Sequence, residues 1–241
     1  MRPKPLTMFC ILALIIILLI RNYEAPAESP CAYEAHRNMH QVNITKEDLN
    51  LKTLIKQISS RMKGREQLIP YIIHQTNEFD TVPLDMALAI ETMIEQNPEY
   101  EFRYYNSSER QHIVGVHMGE TALAVLNKIL PKTFKADFFG YNILYLHGGC
   151  YFGSGTLPLE QLRDTINSKD TFVSSLVGEQ LFINNNWICS TAKHPLLDLV
   201  IRRVIRRVAN SEKGKHFFDI TGSVVLTRCF LEHFKQKLPI K

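Results

Sequence analysis

The glycine pair Gly148-Gly149 limits the folds open to this chain more than any other feature. It lies within Lys135–Leu159, which reads KADFFGYNILYLHGGCYFGSGTLPL. Before the pair, Phe138, Phe139, Ile143, Leu144 and Leu146 recur at helical spacing, and Asp137 falls early in the expected first turn. After it, Cys150-Tyr151-Phe152 has the composition of a short strand and Gly153-Ser154-Gly155 that of a turn. A helix stopped by two glycines and delivered into a strand that ends in a loop is an α/β unit. In such units the functional edge lies at the C-terminal end of the strand.

The rest of the chain extends this pattern. Ile69–Thr76 is a strand-like run followed by a polar loop, and Leu84–Gln96 reads as a helix ended by Asn97-Pro98. Glu101–Asn106 alternates as a second strand, Gly119–Leu130 as a further helix, and Thr171–Val177 and Leu181–Thr191 as strands. His194–Ala209 is amphipathic: Leu196, Leu197, Val200, Ile201, Val204, Ile205 and Val208 form one stripe. Arg202, Arg203, Arg206 and Arg207 form the opposite face, which is ordinarily solvated, the other role being contact with an anionic partner or membrane surface. Upstream, Thr45 is expected to open a helix with Asp48 three residues on and a stripe of Leu51, Leu54, Ile55, Ile58 and Met62.

With 241 residues and 45% apolar composition, the chain can bury one full core but hardly two. A net charge of +4 is not the concentrated basicity of a nucleic-acid binder. Arg2 and Lys4 precede the apolar run Met8–Ile20, which Arg21 closes. The run is short for a membrane span, which needs about 17 to 20 residues. It reads as an uncleaved signal anchor (residues 8–20) behind a cytosolic tail (1–7), which makes a single-pass type II membrane protein. A cleaved secretory signal ending near Ala25-Pro26-Ala27 is the alternative. Either puts the remainder in a secretory lumen: a stem and amphipathic helix (21–64), then one domain (65–241). Asn43-Ile44-Thr45 and Asn106-Ser107-Ser108 are glycosylation sequons at Asn43 and Asn106. Cys31, Cys150, Cys189 and Cys229 allow three disulfide pairings, while Cys150 and Cys189 also read as thiols buried in strands.

Lys135-Ala136-Asp137-Phe138-Phe139, Tyr141, Leu144-Tyr145, Gly148-Gly149 and Tyr151 together resemble glycosyltransferase family 32, the group of Golgi mannosyltransferases with an Asp-x-Asp sugar-binding motif. Three further segments resemble it in the right order: Ile69-Pro70-Tyr71-Ile72-Ile73-His74-Gln75-Thr76, the Asn184–Ser190 run, and Asp219-Ile220-Thr221-Gly222. The resemblance spans about Ile69 to Phe234 and implies a single GT-A-like α/β domain, a mixed sheet with a Rossmann-like nucleotide-binding half. It implies transfer of a hexose, plausibly mannose, from a nucleotide-sugar to a glycan or glycolipid acceptor in the Golgi, with retention at the anomeric carbon. Donor contacts would fall to His74, Gln75, Lys135, Asp137 and Tyr151, with Asn185 facing the sugar or acceptor.

The chain departs from the family pattern at two important places, besides Lys135 for the family's first Arg and Ser223 for its proline. Gly140 stands where the family has its second Arg, and Gly153-Ser154-Gly155 stands where it has Asp-x-Asp. Those carboxylates hold Mn²⁺ or Mg²⁺ in the family, because hard cations prefer charged oxygen ligands. Here the metal ligands are missing, and Lys135 is the nearest cation to replace them, Arg163 a more distant one. The alternative function is a catalytically inactive lumenal protein that binds or pairs with an active relative.

Overall fold

Four strands that run in one direction and one reversed strand, β7, make the central sheet. They are β2 (Ile72–Thr76), β4 (Glu101–Tyr105), β5 (Gly149–Phe152), β6 (Phe172–Val177) and β7 (Phe182–Ser190), in the order β4-β2-β5-β7-β6. The computed structural model describes residues 49–50, 64, 66–130, 132–156, 160–177, 182–212 and 219–237. Parallel neighbours need a crossover. Helix α1 (Leu84–Gln96) carries the chain from β2 to β4 on one side. Helices α2 (Ser107–Met118), α3 (Glu120–Lys128) and α4 (Lys132–His147) return it to β5 on the other side of β2. The reversal makes the C-terminal ends of β2 and β5 a topological switch point, the place where open α/β sheets bind ligands.

Each face of the sheet has its own apolar cluster. Ile73, Phe102, Tyr104, Cys150, Phe152 and Cys189 pack with Ile90, Met93 and Ile94 of α1 and with Leu162 of the short helix α5 (Leu162–Thr165). On the other face Tyr105, Tyr151 and Ile188 pack with α4, α6 (Pro195–Ala209) and α7 (Ser223–Lys237). The stripe of α6 is buried as its spacing predicts, at Leu196, Leu197, Val200, Ile201 and Val204. Much of its cationic face is held by the protein's own acids: Arg202 by Asp198, Arg203 by Glu232, and Arg207 by Glu212.

Helix α2 was not expected from the apolar pattern. Asn106 starts it: its Oδ1 accepts from the Glu109 amide at 2.9 Å, and Glu109 Oε2 accepts from the Asn106 amide at 3.0 Å. This capping box satisfies two otherwise orphaned donors. The sequon asparagine is therefore a helix cap, and its Nδ2 faces both oxygens of Asp80 at 3.1 Å. Leu49–Asn50 form β1, paired antiparallel with β3 (Thr81–Val82), so the expected helix from Thr45 does not run through these residues. The remainder of that helix, the run Met8–Ile20, Asn43, Cys10 and Cys31 lie outside the described residues. Among the described residues no helix is long and apolar enough to cross a membrane.

Cys150 and Cys189 face each other across β5 and β7 with Cα atoms 4.0 Å apart, and they form a disulfide. Cys150 and Cys189 are therefore not buried thiols, as their strand positions also allowed, and their bond joins β5 to β7. Cys229 stays free and buried, and burial pushes its thiol up to about 11. The disulfide closes a loop over a separation of 39 residues. By chain entropy this is worth at most about 4 kcal/mol, and native disulfides typically contribute about 2–4. Replacing both cysteines by alanine should lower the unfolding free energy by about 2–4 kcal/mol, read from urea denaturation.

Candidate functional site

Helix α4 crosses β5 so that its N-terminal half reaches the strand's C-terminal end. Two contacts fix the crossing. The Tyr151 hydroxyl donates to the Ala136 carbonyl at 3.1 Å, and the Tyr151 ring lies against Gly140. Because α4 begins at Lys132, Asp137 sits in its second turn and is not a cap. Asn185 lies on β7 two residues before Trp187, which pairs with Phe152, so it stands just past the end of β5. There Asp137 Oδ1 accepts from Asn185 Nδ2 at 2.8 Å and Oδ2 from Thr221 Oγ1 at 3.1 Å. Tyr141 fixes Thr221 in turn by donating to its carbonyl at 2.7 Å. Burial pushes the Asp137 carboxyl up to about 7, against the pull of the two hydrogen bonds. Each of its oxygens keeps a lone pair for a further donor. Lys135 is half-buried one residue back from Ala136 on the same helix.

The structure thus brings Asp137, Asn185 and Tyr151 together around α4 and adds Thr221. Only the Asp-Ile-Thr-Gly resemblance hinted at Thr221. His74 and Gln75 are placed differently from each other, because consecutive residues of β2 point to opposite faces. His74 is fully buried beneath Tyr105, with Nε2 2.9 Å from the Gly148 carbonyl and Nδ1 2.9 Å from the Tyr105 hydroxyl. A carbonyl only accepts, so Nε2 carries the hydrogen and Nδ1 accepts from Tyr105. Burial holds this neutral imidazole down to about 3, and both ring nitrogens are engaged inside the core.

Gln75 is 2% exposed on the other face and donates to the Gly153 carbonyl at 3.2 Å. Gln75, Phe152 and Trp187 stand in register across β2, β5 and β7. Among the described residues Gln75 Oε1 and Trp187 Nε1 are buried without a hydrogen-bond partner.

Gly153-Ser154-Gly155 closes the switch point. Ser154 Oγ donates to the Thr76 carbonyl at 2.9 Å, and the Gly153 amide donates to the Asn186 carbonyl at 2.8 Å. Behind Thr76 stands Arg110, 2% exposed, which sequence reasoning missed. It donates to Thr76 Oγ1 and to the Asn77 carbonyl, each at 2.8 Å, and pairs with Glu78. The residues here do not fit the divalent cation that the resemblance implies. Two glycines and a neutral hydroxyl supply no carboxylate. Among the described residues no three His, Cys, Asp or Glu side chains come close enough together to hold a metal ion. Gly140 is equally particular: a Cβ there would lie 2.8 Å from Tyr151 Cε1, so the tyrosine ring fills the space an arginine stem would need.

No protein-family model matches the chain. A curated relative, the uncharacterized glycosyltransferase L373 of Acanthamoeba polyphaga mimivirus, is 25% identical over 162 residues, 63% of this chain and 64% of the relative. The match therefore spans less than two thirds of the relative's length. Among solved structures, PaToxG glycosyltransferase shares the fold with a TM-score of 0.53 at 12% identity, over 77% of this chain and 74% of that one. The mixed α/β domain has a glycosyltransferase fold.

Two outcomes follow for Asp137 and Gly140. A carboxyl held near 7 in the fold and near 3.8 when unfolded keeps its proton longer in the native state. Its contribution to stability is complete below about pH 4, declines as pH rises to about 7, and is flat above. Asp137→Asn should remove this decline, seen by comparing denaturation midpoints of variant and parent from pH 4.5 to 7.5. Gly140→Arg should overpack Tyr151 and destabilise by about 1–3 kcal/mol, measured by urea unfolding, instead of rebuilding a donor contact.

Proposed function

We propose that this chain takes a nucleotide-sugar at the switch point between β2 and β5 and transfers its hexose, mannose being the first candidate, to a glycan or glycolipid hydroxyl. The observation that carries this reading is the Asp137–Asn185–Thr221 cluster at the C-terminal edge of a glycosyltransferase fold. Buried donors and acceptors with lone pairs in hand are what recognition of sugar hydroxyls needs. In the transfer, the bond from the anomeric carbon to the diphosphate oxygen breaks. The nucleoside diphosphate leaves with the electron pair, the acceptor oxygen bonds to that carbon, and the hydroxyl proton is released. Asp137 and Asn185 would orient the sugar, Tyr151 would hold α4 over the site, and Gln75 would face the donor from β2. His74 would support the site from below, and Lys135 would face the departing phosphates.

The Cys150–Cys189 disulfide supports an oxidising compartment. With the anchor expected at residues 8–20, the reading is a Golgi membrane protein of type II with its domain in the lumen. A second reading, a non-catalytic subunit paired with an active relative, is favoured by one feature: Gly140 and Gly153-Ser154-Gly155 both lack the charged groups of the family pattern.

The purified chain should bind a UDP- or GDP-hexose by calorimetry and, with a glycan acceptor, release the nucleoside diphosphate. Asn185→Ala should weaken donor binding at least tenfold, about 1.4 kcal/mol. Unchanged affinity in that variant would put the sugar elsewhere, and binding without release under any acceptor would favour the non-catalytic subunit.

A further inference from the structure

We propose that this site engages its nucleotide-sugar without a divalent cation; the inference rests on the donor reading above. It is drawn from the ligand atoms present at the end of β5. A hard cation bound beside a diphosphate takes oxygen ligands, with at least one carboxylate fixing it to the protein. Ser154 offers a neutral hydroxyl that already donates to Thr76. The Gly153 carbonyl accepts from Gln75 Nε2 at 3.2 Å and from the Thr156 amide at 3.1 Å.

Among the described residues the acids nearby are committed as well. Asp137 receives Asn185 and Thr221 on its two oxygens. Asp80 receives Asn106, and Glu78 is paired with Arg110. Nor does the site accommodate the family's arginine, because the Tyr151 ring occupies the space beside Gly140.

One exposed cation stands on this edge: Lys132 Nζ lies 5.5 Å from the ring centroid of Phe79 in the loop that follows β2, whereas Arg110 is buried and taken up by Thr76, Asn77 and Glu78. Preorganised cations stabilise a departing diphosphate by the same electrostatics as a metal ion.

Calorimetric titration of the full chain with UDP-glucose and with GDP-mannose, each in EDTA and in Mn²⁺, tests this. The expected result is a dissociation constant for one donor that agrees within about twofold between the two buffers. Lys132→Ala should then weaken that binding in both buffers alike. Binding that appears only with Mn²⁺, or tightens tenfold with it, overturns the inference and leaves the donor reading standing. No binding in either buffer overturns the donor reading and this inference with it.

Discussion

The junction between α4 and β5 is the constraint on which the rest of the structure depends. Gly148 and Gly149 have φ of +66° and +95°, a left-handed backbone that side chains rarely adopt. A Cβ on Gly149 would lie 2.4 Å from the Ile72 carbonyl, and one on Gly148 2.7 Å from the Ala192 amide. Only glycine lets the helix end this close to β2 and enter the sheet at its centre. From that entry follow the pairing of β5 with β2 on one side and β7 on the other. The disulfide at the second pairing follows too, as does the passage of α4 back over Tyr151. The Gly148 carbonyl then receives the buried His74, which ties the turn to the first parallel strand.

This architecture gathers polar groups from distant parts of the chain onto one edge. Asp137 meets Asn185 from 48 residues away and Thr221 from 84. Burial raises the cost of leaving any of the three unpaired, so the cluster positions itself as a unit. The strand-end loop beside it is held by neutral hydrogen bonds alone. The edge thus presents hydrogen-bonding groups, and its acids Glu78 and Asp80 are engaged by Arg110 and Asn106.

Much of this was legible in the sequence wherever one period held over several turns. Leu84–Gln96 matches its expected bounds, and the α6 stripe is buried as its spacing indicates. Helix α2 escaped because Ile113, Val114 and Val116 are too sparse among polar residues to show a stripe. Its signal is the pair Asn106 and Glu109, three apart, which the sequon reading of Asn106-Ser107-Ser108 passes over. The two-residue β1 has no local signature and exists through its pairing with Thr81–Val82. At the site, the family resemblance brought out Asp137 and Asn185, but their mutual contact lies in tertiary packing. The difference between His74 and Gln75 comes from strand alternation, which sends one into the helix-covered core and the other toward Gly153. That position 140 leaves no room for a side chain became clear only with the Tyr151 ring in view.

The measurement that bears most directly on the central claim is hydrogen–deuterium exchange of the chain with and without a nucleotide-sugar. The account predicts slowed exchange confined to the switch point and its cluster: residues 76–80, the first two turns of α4, 152–156 and 183–187. Protection along the outer edge of β4 and α2 instead, where Glu101, Arg103, Glu109 and His112 line a cleft, would place the ligand elsewhere and contradict the account.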